Sequence, residues 1–126
     1  MADEKINYFT GNVVDAAIKV HRALGPGLLE SAYEACLQYE LVKRGFSVAR
    51  QVEMPIQYEG IRLDVGYRVD LLVESCVVVE CKAVRELTPI DSAQVISYLK
   101  LSGCPAALLI NFHVKLLKDG IHRFAH

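Results

Sequence analysis

The residues best suited to chemistry lie in Asp70-Leu71-Leu72-Val73-Glu74-Ser75-Cys76-Val77-Val78-Val79-Glu80-Cys81-Lys82, an apolar hairpin-like segment opened by an aspartate and closed by Glu-x-Lys. An ionised carboxylate in a Val-rich strand costs several kcal/mol unless it is paired or binds a metal, so Glu80 has no stability rationale. Side chains alternate across a strand, which projects Glu80 and Lys82 from one face and Val79 and Cys81 from the other. Whether Asp70 joins them depends on register. A two-residue turn at Glu74-Ser75 would set Val73 opposite Cys76 and turn Asp70 away. A three-residue turn or a bulge would set Val73 opposite Val77 and Asp70 opposite Glu80, and a functional site predicts this second arrangement. Two carboxylates at cross-strand distance, about 5 Å, repel unless a cation lies between them, and oxygen-only ligands suit Mg²⁺ or Mn²⁺. Lys82 beside such a cation would orient or help deprotonate a water, or neutralise charge developing on a phosphorane-like transition state. Without a cation, the same residues read as a surface aspartate and a Glu-Lys pair on one strand.

Four further groups stand out less sharply. Glu30 shares a helix face with Tyr33, Glu34, Leu37 and Leu41 at the edge of a buried stripe, and an acid in a first helical turn also complements the helix dipole. Gln94 and Tyr98 are four residues apart on one helix face, able to reach a phosphate or a carboxylate together. His21, His113, His122 and His126 have no metal-ligand spacing and read as structural or surface residues. The cysteines Cys36, Cys76, Cys81 and Cys104 form no C-x-x-C pair and sit in apolar contexts, which suits free thiols in a reducing compartment.

The elements that must position these groups follow from periodicity. Apolar residues at helical spacing predict a helix from about Tyr8 to Ala23, stopped by Gly25-Pro26-Gly27, and a second from Leu28 to about Arg44, stopped by Gly45. The pattern then alternates. It predicts a strand from Phe46 to Ile56, a turn at Tyr58-Glu59-Gly60, a short return over Ile61–Leu63, and strands over Tyr67–Val73 and Cys76–Cys81. The last of these is apolar on both faces, as a strand covered by helices should be. Pro89 opens a third helix ending at Ser102-Gly103, Ala106–Ile110 is a further buried strand, and a final hairpin over Val114–Phe124 turns at Asp119-Gly120. The order α-α-β-β-β-β-α-β-β implies an α/β (α+β) fold, a three-layer-like sandwich in which helices flank a mixed sheet.

At 126 residues, 52% of them hydrophobic, the chain suits one domain spanning residues 1–126. The net charge of −1 does not announce a nucleic-acid binder, although residues 83–126 carry a net +2 against −3 for residues 1–82. The charged Met-Ala-Asp-Glu-Lys start and the short apolar runs predict a soluble, cytoplasmic protein.

Gly27, Glu30 and Tyr33 together form G-x-x-E-x-x-Y, and with the segments around Asp70, Glu80-Cys81-Lys82, Ala93–Lys100 and Leu108–Phe112 the chain resembles the small bacterial and archaeal GxxExxY proteins, placed in the PD-(D/E)xK nuclease superfamily. The resemblance runs from about residue 8 to 124. It implies a restriction-endonuclease-like core in which Asp70, Glu80 and the Cys81 backbone carbonyl hold Mg²⁺ or Mn²⁺ and Lys82 is the catalytic lysine. It further implies Glu30 as an additional acid near the metal, with Gln94, Tyr98 and Tyr33 positioning substrate. Relatives commonly carry an aliphatic residue where Cys81 stands; only its backbone would touch metal, so the change is tolerable. The implied activity is hydrolysis of nucleic acid, DNA foremost; a chain this small lacks surface to wrap a duplex, so a homodimer or a larger protein partner is expected. The alternative is a catalytically silent module of the same fold that binds nucleic acid or protein.

Overall fold

Chain punctuation sets the helix ends. In α3 (Pro89–Ser102), Thr88 and Asp91 form a reciprocal capping box, Pro89 occupies the first turn, and Gly103 closes the helix at φ 70°. In α1 (Asp3–Leu24), Asp3 and Glu4 in the first turn and His21 and Arg22 in the last complement the helix dipole, and the helix starts earlier than its apolar periodicity suggests. A second helix, α2 (Glu30–Lys43), follows Gly25-Pro26-Gly27. The structure is a computed structural model that describes residues 3–125. Residues 1, 2 and 126, included in the single-domain expectation, lie outside the described residues.

Seven strands complete the described residues: β1 (Val48–Glu53), β2 (Ile56–Tyr58), β3 (Ile61–Leu63), β4 (Arg68–Val73), β5 (Val77–Lys82), β6 (Ala106–Asn111) and β7 (Ile121–Ala125). Five of them form one sheet in the order β1-β4-β5-β6-β7, with β5 and β6 parallel and the other neighbours antiparallel. The mixed sheet follows from connection lengths. β4 and β5 are joined by three residues and must run antiparallel, whereas α3 carries the chain back so that β6 can run parallel to β5. α1 and α2 cover one face, packing Val13, Leu37 and Leu41 against Val77, Val79, Cys81 and Ile110. α3 covers the other, with Val95, Tyr98 and Leu99 over Val78, Ala107 and Leu109. Every residue of β6 is buried, as is all of β5 except the half-exposed Lys82. The expected α/β sandwich is therefore what forms, and among the described residues no helix is long and apolar enough to cross a membrane.

Two expectations are corrected. The strand expected over Phe46–Ile56 breaks at Pro55, which has no N–H to give a ladder. Beyond it β2 and β3 pair only with each other, turning at Glu59 (φ 51°) and Gly60 (φ 77°). The hairpin expected over Val114–Phe124 does not form either. Leu117–Gly120 is a 3-10 turn with Leu117 buried, and β7 pairs with β6. Gly120 serves close approach rather than a turn, since a Cβ there would lie 2.1 Å from the Asn111 carbonyl oxygen.

Candidate active site

Val73 stands opposite Val77, so the connection is the three-residue one, Glu74-Ser75-Cys76. Glu74 and Ser75 both take left-handed backbone (φ 53° and 55°), Cys76 N–H closes back on the Val73 carbonyl at 3.0 Å, and Cys76 is the extra residue that shifts the register. Asp70 thereby stands opposite Glu80. The ladder between β4 and β5 nevertheless ends at Leu71 and Val79. Beyond that pair the strands part and side chains replace backbone partners. Asp70 N–H donates to Glu80 Oε1 at 2.9 Å, and Cys81 N–H donates to Asp70 Oδ2 at 2.8 Å. The other side of β4 is interrupted at the same level: Arg50 pairs with Leu71 and Val52 with Val69, while Gln51 between them adopts φ 55°. A left-handed non-glycine residue costs of order 1–3 kcal/mol and persists only where its surroundings hold it. Here the Gln51 amide donates to Glu34 Oε1 at 2.7 Å and to Asp70 Oδ1 at 3.3 Å.

α2 supplies two more acids. Glu34 is buried and accepts from Arg50 Nε as well as from Gln51. Glu30, one turn earlier and exposed, accepts from Ala83 N–H at 3.2 Å, just past Lys82. α2 is held at this end by Tyr33, whose ring stacks on Phe112 with centroids 4.4 Å apart. The Tyr33 hydroxyl donates to the Gly25 carbonyl at 2.6 Å and accepts from Leu28 N–H at 3.1 Å.

Acidic groups are concentrated and dehydrated here. Burial, then the neighbouring Asp70 charge, pushes the Glu80 carboxyl up to about 8. Burial raises Asp70 to about 6, Glu34 adding to the rise while the Cys81 N–H opposes it. Tyr98 is raised by burial and by Glu80 and Asp70, which sets its hydroxyl in their field. Tyr98 and Gln94 line a groove of about 550 Å³ with Tyr67, Ile56 and Ile90. Lys82 lies 3.9 Å from Asp91, too far for a strong ion pair, and its charge partly offsets the rise at Glu80.

The chemistry of these donors fits a hard divalent cation. Among the described residues no three His, Cys, Asp or Glu side chains gather closely enough to hold a metal ion by themselves. Asp70 and Glu80 are the carboxylate pair, and Cys81 offers a third oxygen. The N–H and C=O of one strand residue face the same way, so the Cys81 carbonyl opens toward Asp70 as its N–H does. Two carboxylates, a carbonyl and water would make an oxygen set of the kind Mg²⁺ prefers.

Of the residues singled out in the sequence, Asp70, Glu80 and the Cys81 backbone thus meet, with Lys82 at their edge, Glu30 beyond it, and Tyr98 and Gln94 on the α3 side. Tyr33 does not join them; it braces the α1–α2 loop from a fully buried position. The Cys81 thiol packs into the α1–α2 core, where burial pushes it up. Glu34, Arg50 and Gln51 were missed. An acid four residues from Glu30 on the buried helix stripe was the available signal for Glu34; nothing local marks Gln51. Arg50→Ala should leave Glu34 buried with one partner fewer, lowering stability by roughly 2 kcal/mol in urea denaturation, with most of it regained in Arg50→Ala/Glu34→Gln.

The sequence model of the PD-(D/E)XK nuclease superfamily matches residues 7–124. No curated protein and no solved structure gives a significant match.

Proposed function

This chain belongs to the PD-(D/E)XK nuclease superfamily, and from that premise we propose that it is a Mg²⁺- or Mn²⁺-dependent nuclease of the GxxExxY type that hydrolyses phosphodiester bonds, DNA foremost. What carries the reading is the pair of carboxylates, the buried Glu80 and the half-buried Asp70, facing each other where β4 and β5 part. Asp70, Glu80 and the Cys81 carbonyl would hold the cation, with Glu30 at its periphery. A bound divalent cation would neutralise phosphate charge and make a nearby water more acidic.

The chain's own groups supply the rest. Lys82 donates to non-bridging phosphate oxygens and offsets charge as the phosphorane-like state develops. Glu34, locked by Arg50 and Gln51, positions Asp70 through the shared Gln51 amide. Tyr98 and Gln94 present a hydroxyl and an amide at the α3 wall, where they orient the substrate strand. A chain of this size has little surface to wrap a duplex, which favours a homodimer or a larger partner.

The test is a screen of single-stranded, duplex and branched DNA and RNA against purified protein, with light scattering on the same sample. Cleavage with Mg²⁺ or Mn²⁺, lost in EDTA and in an Asp70→Ala control, is expected. No substrate cut above that control overturns the reading, and a monomer at working concentration overturns the homodimer.

A further inference from the structure

A second cavity, of about 400 Å³, lies between the end of α1 and the segment that follows β6, and its wall includes His21, Arg22, Gly25, Pro26, Lys115 and Lys118. Arg22, Lys115 and Lys118 are exposed, and among the described residues none has a carboxylate within ion-pair distance. Among the described residues Lys5, Arg85, Lys100 and Arg123 likewise lack an acidic neighbour, but none of them lines this cavity, whereas Arg22, Lys115 and Lys118 share it. Dipole complementation at the end of α1 accounts for Arg22 but not for the two lysines, which lie 93 or more residues further along the chain.

The wall that carries these lysines is held in place. The buried His21 contacts the Val114 carbonyl through Nε2 at 2.8 Å, and a carbonyl can only accept, so the ring nitrogen donates. His113 N–H donates to Asn111 Oδ1 at 3.2 Å, Leu117 is buried, and Gly120 closes tightly on the Asn111 carbonyl. Three cations without acidic partners are therefore presented around one concavity on a fixed frame. Such a frame suits a compact anion with several acceptor oxygens.

The cavity also lies at the site's end of the sheet. Lys82 pairs with Asn111, and the chain runs from Asn111 straight into the cavity wall. On the opposite wall, Gly25 is bonded by the Tyr33 hydroxyl, on the helix that carries Glu30 and Glu34. We propose that this cavity is a phosphate subsite, in which Arg22, Lys115 and Lys118 hold backbone phosphate of the substrate strand away from the bond that is cut. The identification of the anion as nucleic-acid phosphate rests on the nuclease reading. Such contacts position the strand without reading its sequence.

The test measures binding of labelled DNA by fluorescence anisotropy across a salt series in EDTA, so that it does not depend on cleavage. Each neutralised phosphate contributes about −0.9 to the slope of log K against log salt on duplex and about −0.7 on single strands. Arg22→Ala/Lys115→Ala/Lys118→Ala should flatten the slope by roughly 2–3 and weaken binding at least tenfold at about 0.1 M salt. Lys5→Ala/Lys43→Ala/Arg123→Ala, which removes equal charge away from this cavity and from the α3 groove, should change the slope by less than half as much. Equal slopes in the two triple variants, or in the cavity variant and the wild type, overturn the subsite even if the protein cuts DNA. Saturable binding of inorganic phosphate with no binding of DNA assigns the cavity to a free anion and overturns the strand assignment. Binding of DNA with the expected slope change and no cleavage supports the subsite while the nuclease reading fails.

Discussion

Glu80→Ala will lose Mn²⁺ binding and cleavage together, whereas Lys82→Ala will lose cleavage and keep Mn²⁺ binding. Among the described residues, Glu80 and Asp70 are the two carboxylates in the fork between β4 and β5, and Glu80 Oε1 holds the Asp70 N–H. Without it, a cation faces Asp70, a carbonyl and water, too little negative charge to displace its hydration shell. A drop in kcat of about 10³-fold or more is expected, together with the disappearance of the calorimetric Mn²⁺ isotherm. Glu80→Gln retains the acceptor for Asp70 N–H and separates loss of charge from loss of shape. Lys82 is different because its nearest acidic partner is Asp91 at 3.9 Å, not the carboxylate pair. Removing its ammonium takes away transition-state charge stabilisation, a loss of about 10²–10³ in kcat. Equal Mn²⁺ affinities in wild type and Glu80→Ala, or cleavage by that variant within tenfold of wild type, would remove Glu80 from the site.

The metal-free protein will be more stable with glutamine at position 80, and the gain will grow with pH. Glu80 rises from its ordinary value of 4.5 to about 8 in the folded chain, chiefly through burial. Between those values the folded state holds a proton that the unfolded state has released. Stability therefore falls as pH climbs from about 4.5 to about 8 and is level above that. The contribution of this one group is on the order of 5 kcal/mol across the window. Asp70 acts with the same sign lower down, between 3.8 and about 6. Glutamine has no such titration. In EDTA, wild type should lose roughly 3 kcal/mol more than Glu80→Gln between pH 5.5 and pH 9, read by urea unfolding. Saturating Mn²⁺ should restore wild type and leave the variant unmoved. Parallel pH–stability curves for the two proteins would show that Glu80 is not held above its ordinary range.

These expectations rest on residues whose importance was visible in the sequence to different degrees. Glu80 was conspicuous because a charge within a continuous Val run conflicts with local preference, and such conflicts mark functional sites. Tyr33 stood out by its motif, yet its hydroxyl and stacked ring are spent on bracing the α1–α2 loop. Gln51 gave no signal, because a polar residue in an alternating strand normally faces water; only its left-handed backbone and its bonds to Glu34 and Asp70 reveal the role.

What the sequence determined by itself were the pieces governed by local physics. Helix ends follow capping and glycine chemistry, strands follow periodicity, the turn at Glu59-Gly60 follows backbone preference, and the presence of α3 between β5 and β6 dictates a mixed sheet. Sequence periodicity left the β4–β5 register as two alternatives, since one residue more or less in a turn reverses which face Asp70 occupies while leaving the hydrophobic count unchanged. The tertiary structure decided it through Cys76. It also decided the pairing of β7 with β6 instead of a local hairpin, and the meeting of Glu34 and Gln51 with Asp70. Both depend on contacts between residues apart in the chain, whose energies no local window contains.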